Sequence, residues 1–149
     1  DIDMQRLDWR QALRIFEQIR TLEPDDITVR RSLIDLNIRL TQFPMATAEL
    51  DGFLAHLKSS GRRGEAIPFL EELVNEYPTV GLLRLALSEE FRHAERIPEA
   101  VAQLDALGNL LLNAGDRDAA IQTIETIMAM NPPNMKDYLT LLANIKSEA

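Results

Sequence analysis

Apolar side chains recur at intervals of three and four residues along nearly the whole chain. Ala12, Ile15, Phe16 and Ile19 form one such set, and Leu104, Leu107 and Leu111 another. That spacing places each set on a single stripe of a helix. Every substantial segment therefore reads as amphipathic helix. Proline, glycine and capping residues divide the pattern into helices near 8–21, 26–40, 44–59, 63–77, 80–93, 97–113, 117–130 and 134–147. Asp8 and Asp116 are placed to cap exposed amides, and Pro44 and Pro98 fit first turns, where a missing N–H costs nothing. Gly61 and Gly115 fit left-handed stops. Connections this short make neighbouring helices antiparallel, so the pattern predicts a row of helical hairpins.

A shift of 54 residues lays the chain on itself without a gap. Pro24 falls on Pro78 and Pro132, Ala12 on Ala66 and Ala120, and Gly61 on Gly115. Pro44 falls on Pro98, Ala46 on Ala100, Ala48 on Ala102, and Leu50-Asp51 on Leu104-Asp105. A three-helix unit thus appears twice and then begins again.

Within that unit lies a shorter pattern: Leu50, Phe53-Leu54, Leu57, Ala66, Leu70, Leu73 and Pro78, then Leu104, Leu107-Gly108, Leu111, Ala120, Ile124, Ile127 and Pro132. Here the chain resembles the tetratricopeptide repeat (TPR), a helix-turn-helix unit of 34 residues with small and large apolar positions and a closing proline. Ala12, Phe16, Ile19 and Pro24 look like the second half of another copy. An alanine where two helices cross lets their backbones approach, while larger residues around it fill the groove. The aromatic pair common early in the family's first helix is replaced here by leucines. The segments 26–59 and 80–113 lack the final proline, and the helices from 44 and 97 are expected to be shared between consecutive hairpins. The resemblance implies an all-α fold, a right-handed α-solenoid of about eight antiparallel helices in TPR-like hairpins. Residues 1–149 are expected to form one such domain, a piece of a longer protein.

Composition narrows the function. Sixteen Lys and Arg against 24 Asp and Glu give a net charge of -8, which repels a phosphate backbone and argues against nucleic acid. The absence of cysteine excludes disulfides and thiolate chemistry and accords with a reducing, cytoplasmic setting. The longest apolar runs, such as Leu110 to Leu112, fall far short of the roughly 20 residues a membrane span requires. Asp1, Asp3 and Asp8 stand where a secretory leader would be basic and apolar.

No catalytic constellation emerges, so no enzyme, cofactor or metal is expected. The carboxylate pairs Asp25-Asp26, Glu71-Glu72 and Glu89-Glu90 diverge by about 100° on a helix, and read as solvated surface or end caps. His56 and His93 have no ligand partners at metal spacing. The cluster Lys58, Arg62, Arg63 reads as a solvated turn, and the lone Trp9 as packing on a helix that precedes the chain.

The family resemblance implies recognition of a protein or peptide segment by the first helices of the hairpins. This nominates Arg31, Asp35 and Arg39, then Glu89, Arg92 and His93, then Asp105, Asn109 and Asn113. Asn109 and Asn113 lie one turn apart, and their amides match a peptide backbone as donor and acceptor. The alternative is a self-assembling segment that dimerises through the last helix, where Tyr138, Leu141, Leu142 and Ile145 have no following hairpin to cover them.

Overall fold

A computed structural model describes residues 2–148, with side chains from Gln5 onward. Among the described residues there are eight α-helices and no strand. They are α1 (Ile2–Leu22), α2 (Ile27–Arg39), α3 (Phe43–Ser59), α4 (Ala66–Glu76), α5 (Gly81–His93), α6 (Ile97–Asn113), α7 (Arg117–Met128) and α8 (Met135–Ser147), with a single 3₁₀ turn at Arg63–Glu65. The fold is all-α, as the periodicity predicts.

The 54-residue period holds to the residue in two of the three helices of the unit, while α4 (Ala66–Glu76) and α7 (Arg117–Met128) differ in start and length. The helices α2, α5 and α8 begin at 27, 81 and 135 and are each 13 residues long, while α3 and α6 are each 17. Both of these longer helices carry proline in the first turn. Gly61 and Gly115 take φ of 73° and 79°, and Thr41 and Glu95, also in register, take 56° and 61°. These two connections carry the same backbone irregularity in both copies, whether or not the residue is glycine, whereas at the third Asn131 takes φ of 54° and its counterpart Tyr77 takes -126°.

The recurring prolines have a structural partner. Arg30 Nε donates to the Pro24 carbonyl at 3.1 Å, and Arg84 Nε to the Pro78 carbonyl at 2.9 Å. An arginine one turn into the next helix therefore ties down the preceding connection in both copies. In the third copy that position is Tyr138, which reaches elsewhere.

The chain divides into two compact units, residues 1–63 and 64–149. In the first, α2 packs against both α1 and α3. Leu33, Ile34, Leu50, Phe53 and Leu57 are buried, and Arg30 lies over the Phe53 ring, 5.8 Å from its centroid. Burial lowers the Arg30 pKa, the nearby Glu49 carboxylate opposing this.

In the second unit each helix packs on the next from α4 to α8, so α6 has α5 on one side and α7 on the other. This is the sharing of one helix by two hairpins that a 54-residue period requires. Its core joins Leu104 and Leu107 of α6, Ile124 and Ile127 of α7, and Tyr138 and Ile145 of α8. Burying each such aliphatic side chain is worth about 1.5–3 kcal/mol. Ala66 and Ala120 are buried, as the close-crossing role of alanine demands.

Some sequence expectations need correction. The first helix runs from Ile2, so Asp8 lies inside it and caps nothing. The fourth begins at Ala66 rather than 63, because Arg63–Glu65 forms the tighter turn. Trp9 has a partner within the chain: the guanidinium of Arg39 in α2 lies over its ring at 5.9 Å. Tyr138 and Ile145, expected at a naked edge, are core residues, whereas Leu139 and Leu141 of the same helix are exposed. Asp1 and the Asp3 side chain lie outside the described residues.

Candidate functional site

The nine nominated residues fall into three groups, one in the first unit and two in the second. Arg31, Asp35 and Arg39 follow one another by single turns along α2. Asp35 Oδ2 accepts from Arg39 Nε at 3.2 Å, and the same Arg39 covers Trp9. This stripe is engaged within its own unit rather than fully open to solvent.

Glu89, Arg92 and His93 are exposed in the last two turns of α5, beside the start of α6. Asp105, Asn109 and Asn113 run down one exposed edge of α6 to its end. Because α5 and α6 are antiparallel, the α5 group lies at one end of the hairpin and Asn113 at the other. The structure thus brings together the three α6 residues but does not merge the two groups.

Asp105 is anchored. Its Oδ1 accepts the Tyr138 hydroxyl of α8 at 2.8 Å. Burial, the hydrogen bond to Asp105 and that carboxylate's negative charge together raise the Tyr138 pKa. Asn109 and Asn113, one and two turns on, make no side-chain hydrogen bond among the described residues. The edge of α6 therefore offers two unspent amides next to one carboxylate held in place.

Sequence reasoning missed a second surface. An apolar groove of about 390 Å³ lies between α5, α6 and α7, floored by Leu104, Leu107 and Leu111 and walled by Leu82, Leu85 and Thr126. At 100° per residue, its α6 floor lies roughly 130–180° around the helix from the asparagine edge. Gly81 shapes one end, since a Cβ there would meet Leu107 Cδ1 at 2.9 Å and that side chain would have to shift. The signal in the sequence was the Leu82 and Leu85 pair, too many leucines for the buried face of α5.

Two further clusters are structural. His56 Nε2 pairs with the Asp25 carboxylate, which also faces Arg62 Nη1 at 3.9 Å, while Asp26 caps α2 by accepting from Val29 N at 3.2 Å. At the start of α7, Asp116 caps Ala119 N, and Arg117 Nη2 donates to the Ile145 carbonyl, tying the end of α8 to the start of α7. A hollow of about 480 Å³ beside it has Arg117 and Lys146 balanced by Asp116 and Asp118. Among the described residues no group of three or more His, Cys, Asp or Glu could hold a metal ion, and no helix is long and apolar enough to cross a membrane.

Residues 103–136 match the family model described as tetratricopeptide repeat. The matched span takes in most of α6, all of α7 and the start of α8, including the second copy of the sequence pattern from Leu104 to Pro132. This is a TPR-like repeat protein, and α6 is the first helix of the matched repeat. Among solved structures three chains match. One is YrrB, described as a TPR protein with an unusual peptide-binding site; it is 13% identical, with 86% of this chain and 80% of that chain covered, at a TM-score of 0.37. No curated protein matches the chain.

Proposed function

We propose that this chain is a non-catalytic protein-interaction scaffold that holds a segment of a partner protein along the exposed edge of α6. The observation that carries this reading is the pair Asn109 and Asn113. They are exposed, lack partners among the described residues and sit one turn apart on the first helix of the matched repeat. Each amide has both a donor and an acceptor to give a peptide backbone. Asp105, oriented by Tyr138, adds an acceptor one turn earlier. The groups on α2 and α5 are further candidates, each within its own unit.

A benzophenone amino acid placed at Asn109, and separately at the outward Glu71, tests this in cell extract, with the captured protein identified and then purified. Crosslinking from 109 alone, and binding weakened about tenfold by Asn109→Ala with Asn113→Ala, is the expected result. Equal capture from both positions, or unchanged affinity, would sink it.

Self-association through α8 is supported by one comparison. Leu33 and Leu87 are 0% and 1% exposed, but Leu141, at the same register, is 38% exposed. Against it, the neighbouring register that holds Val29 and Leu83 is Asp137 in α8, which polarises the face.

A further inference from the structure

The division into two units separates charge sharply. Residues 1–63 carry ten basic and ten acidic side chains, whereas residues 64–149 carry six basic and fourteen acidic. The whole net charge of -8 therefore resides on the unit that contains the apolar groove.

The groove itself is built to receive donors. Thr123 Oγ1 donates to the Ala119 carbonyl at 2.8 Å and Thr126 Oγ1 to the Gln122 carbonyl at 2.9 Å. Their protons are spent on α7, so each hydroxyl presents only acceptor lone pairs to the groove. Glu89 lies one turn beyond Leu85 on α5, and Glu125 directly precedes Thr126 on α7. Neither has an ion pair among the described residues. Of the α5 cations, Arg84, between Leu82 and Leu85, is engaged by the Pro78 carbonyl and Gln103 Oε1, and Arg92 lies a turn past Glu89. Leu85, 44% exposed, leaves the apolar wall open to solvent.

Resting on the reading of this chain as a protein-interaction scaffold, we propose that the α5–α6–α7 groove docks a basic partner segment: a bulky aliphatic or aromatic side chain seated on Leu104, Leu107 and Leu111, flanked by Lys or Arg. The apolar anchor is desolvated against the leucine floor, where affinity in such interfaces is concentrated. The flanking cations meet Glu89 and Glu125 and the hydroxyl lone pairs, which speeds encounter and selects against acidic segments. This surface is distinct from the asparagine edge, so one chain presents two faces of different chemistry.

The test is selection of a displayed library of random peptides, each about a dozen residues, on the full chain at low salt. The recovered peptides are then titrated by fluorescence anisotropy. Enrichment of Leu, Ile or Phe flanked by Lys or Arg is expected, with binding that weakens as salt is added. Leu85→Lys should abolish it, and Glu89→Lys with Glu125→Lys should weaken it about tenfold. Asn109→Ala should leave it unchanged. Both groove substitutions are at exposed positions, and circular dichroism verifies that the variants fold. Recovery of acidic or purely polar peptides, or failure to enrich any, overturns the proposal. So does binding that survives Leu85→Lys and is lost with Asn109→Ala, a result that would leave the scaffold reading intact. Loss of every interaction at both faces would remove that reading as well.

Discussion

Thr41 and Glu95 stand in the left-handed region at matching places, as Gly61 and Gly115 do at the other connection. A side chain in that region crowds the following carbonyl, at about 1–2 kcal/mol. Replacing Glu95 with glycine relieves the crowding but adds freedom to the unfolded chain, so a net gain of about 0.5–1 kcal/mol in urea unfolding is expected. Gly115→Ala should lose about 1 kcal/mol by the same measurement. Tyr138 is a second residue whose role is local and measurable. Tyr138→Phe removes the bond to Asp105 and should lower stability by about 0.5–1.5 kcal/mol. Because the fold favours the neutral phenol, its pKa is raised. The Tyr138 contribution is therefore complete below the unfolded tyrosine value near 10 and is lost as pH rises through the higher folded value. Absorbance titration in a Tyr77→Phe background checks this, and a Tyr138 transition at or below the ordinary tyrosine range would contradict it.

At the scale of elements, helix α6 shows why a period of 54 residues exists. It is apolar toward both α5 and α7, so it closes one hairpin and opens the next. The alanine at 120 in α7 is fully buried. Ala120→Leu adds side-chain volume with no space to receive it and should cost about 1–3 kcal/mol, read as a lower urea midpoint at unchanged slope. Much of this was legible in advance. Apart from the start of α4, the helix boundaries from 26 onward lie within a few residues of those expected, and with the Asp116 cap and the two glycine stops they follow from local chemistry. The Arg30 and Arg84 ties to Pro24 and Pro78 were also present in the 54-residue shift. In a sequence a proline reads as punctuation, and nothing local marks its carbonyl as the acceptor of an arginine six residues on.

For the whole molecule, the charge partition and the last helix set the expectations. The face of α8 that carries Leu141 also carries Asp137, Thr140 and Asn144, all exposed. One leucine among polar neighbours offers little area against the roughly 1,200 Å² that a specific interface buries. The chain should therefore sediment as a monomer across the micromolar range. A dimer that disappears with Leu139→Lys and Leu141→Lys would instead favour self-assembly.

By itself the sequence determined the helices, their order, their antiparallel pairing and the repeat. These rest on periodicity, capping and short connections, all of which act between residues a few positions apart. Only the tertiary structure decided which polar residues were already spent. Arg39 is taken up by Asp35 and Trp9, and Asp105 by Tyr138, while Asn109 and Asn113 remain open. It likewise decided that Leu82 and Leu85 line a groove rather than a core. A helical stripe tells which residues share a face, but whether that face is covered depends on helices distant in the chain.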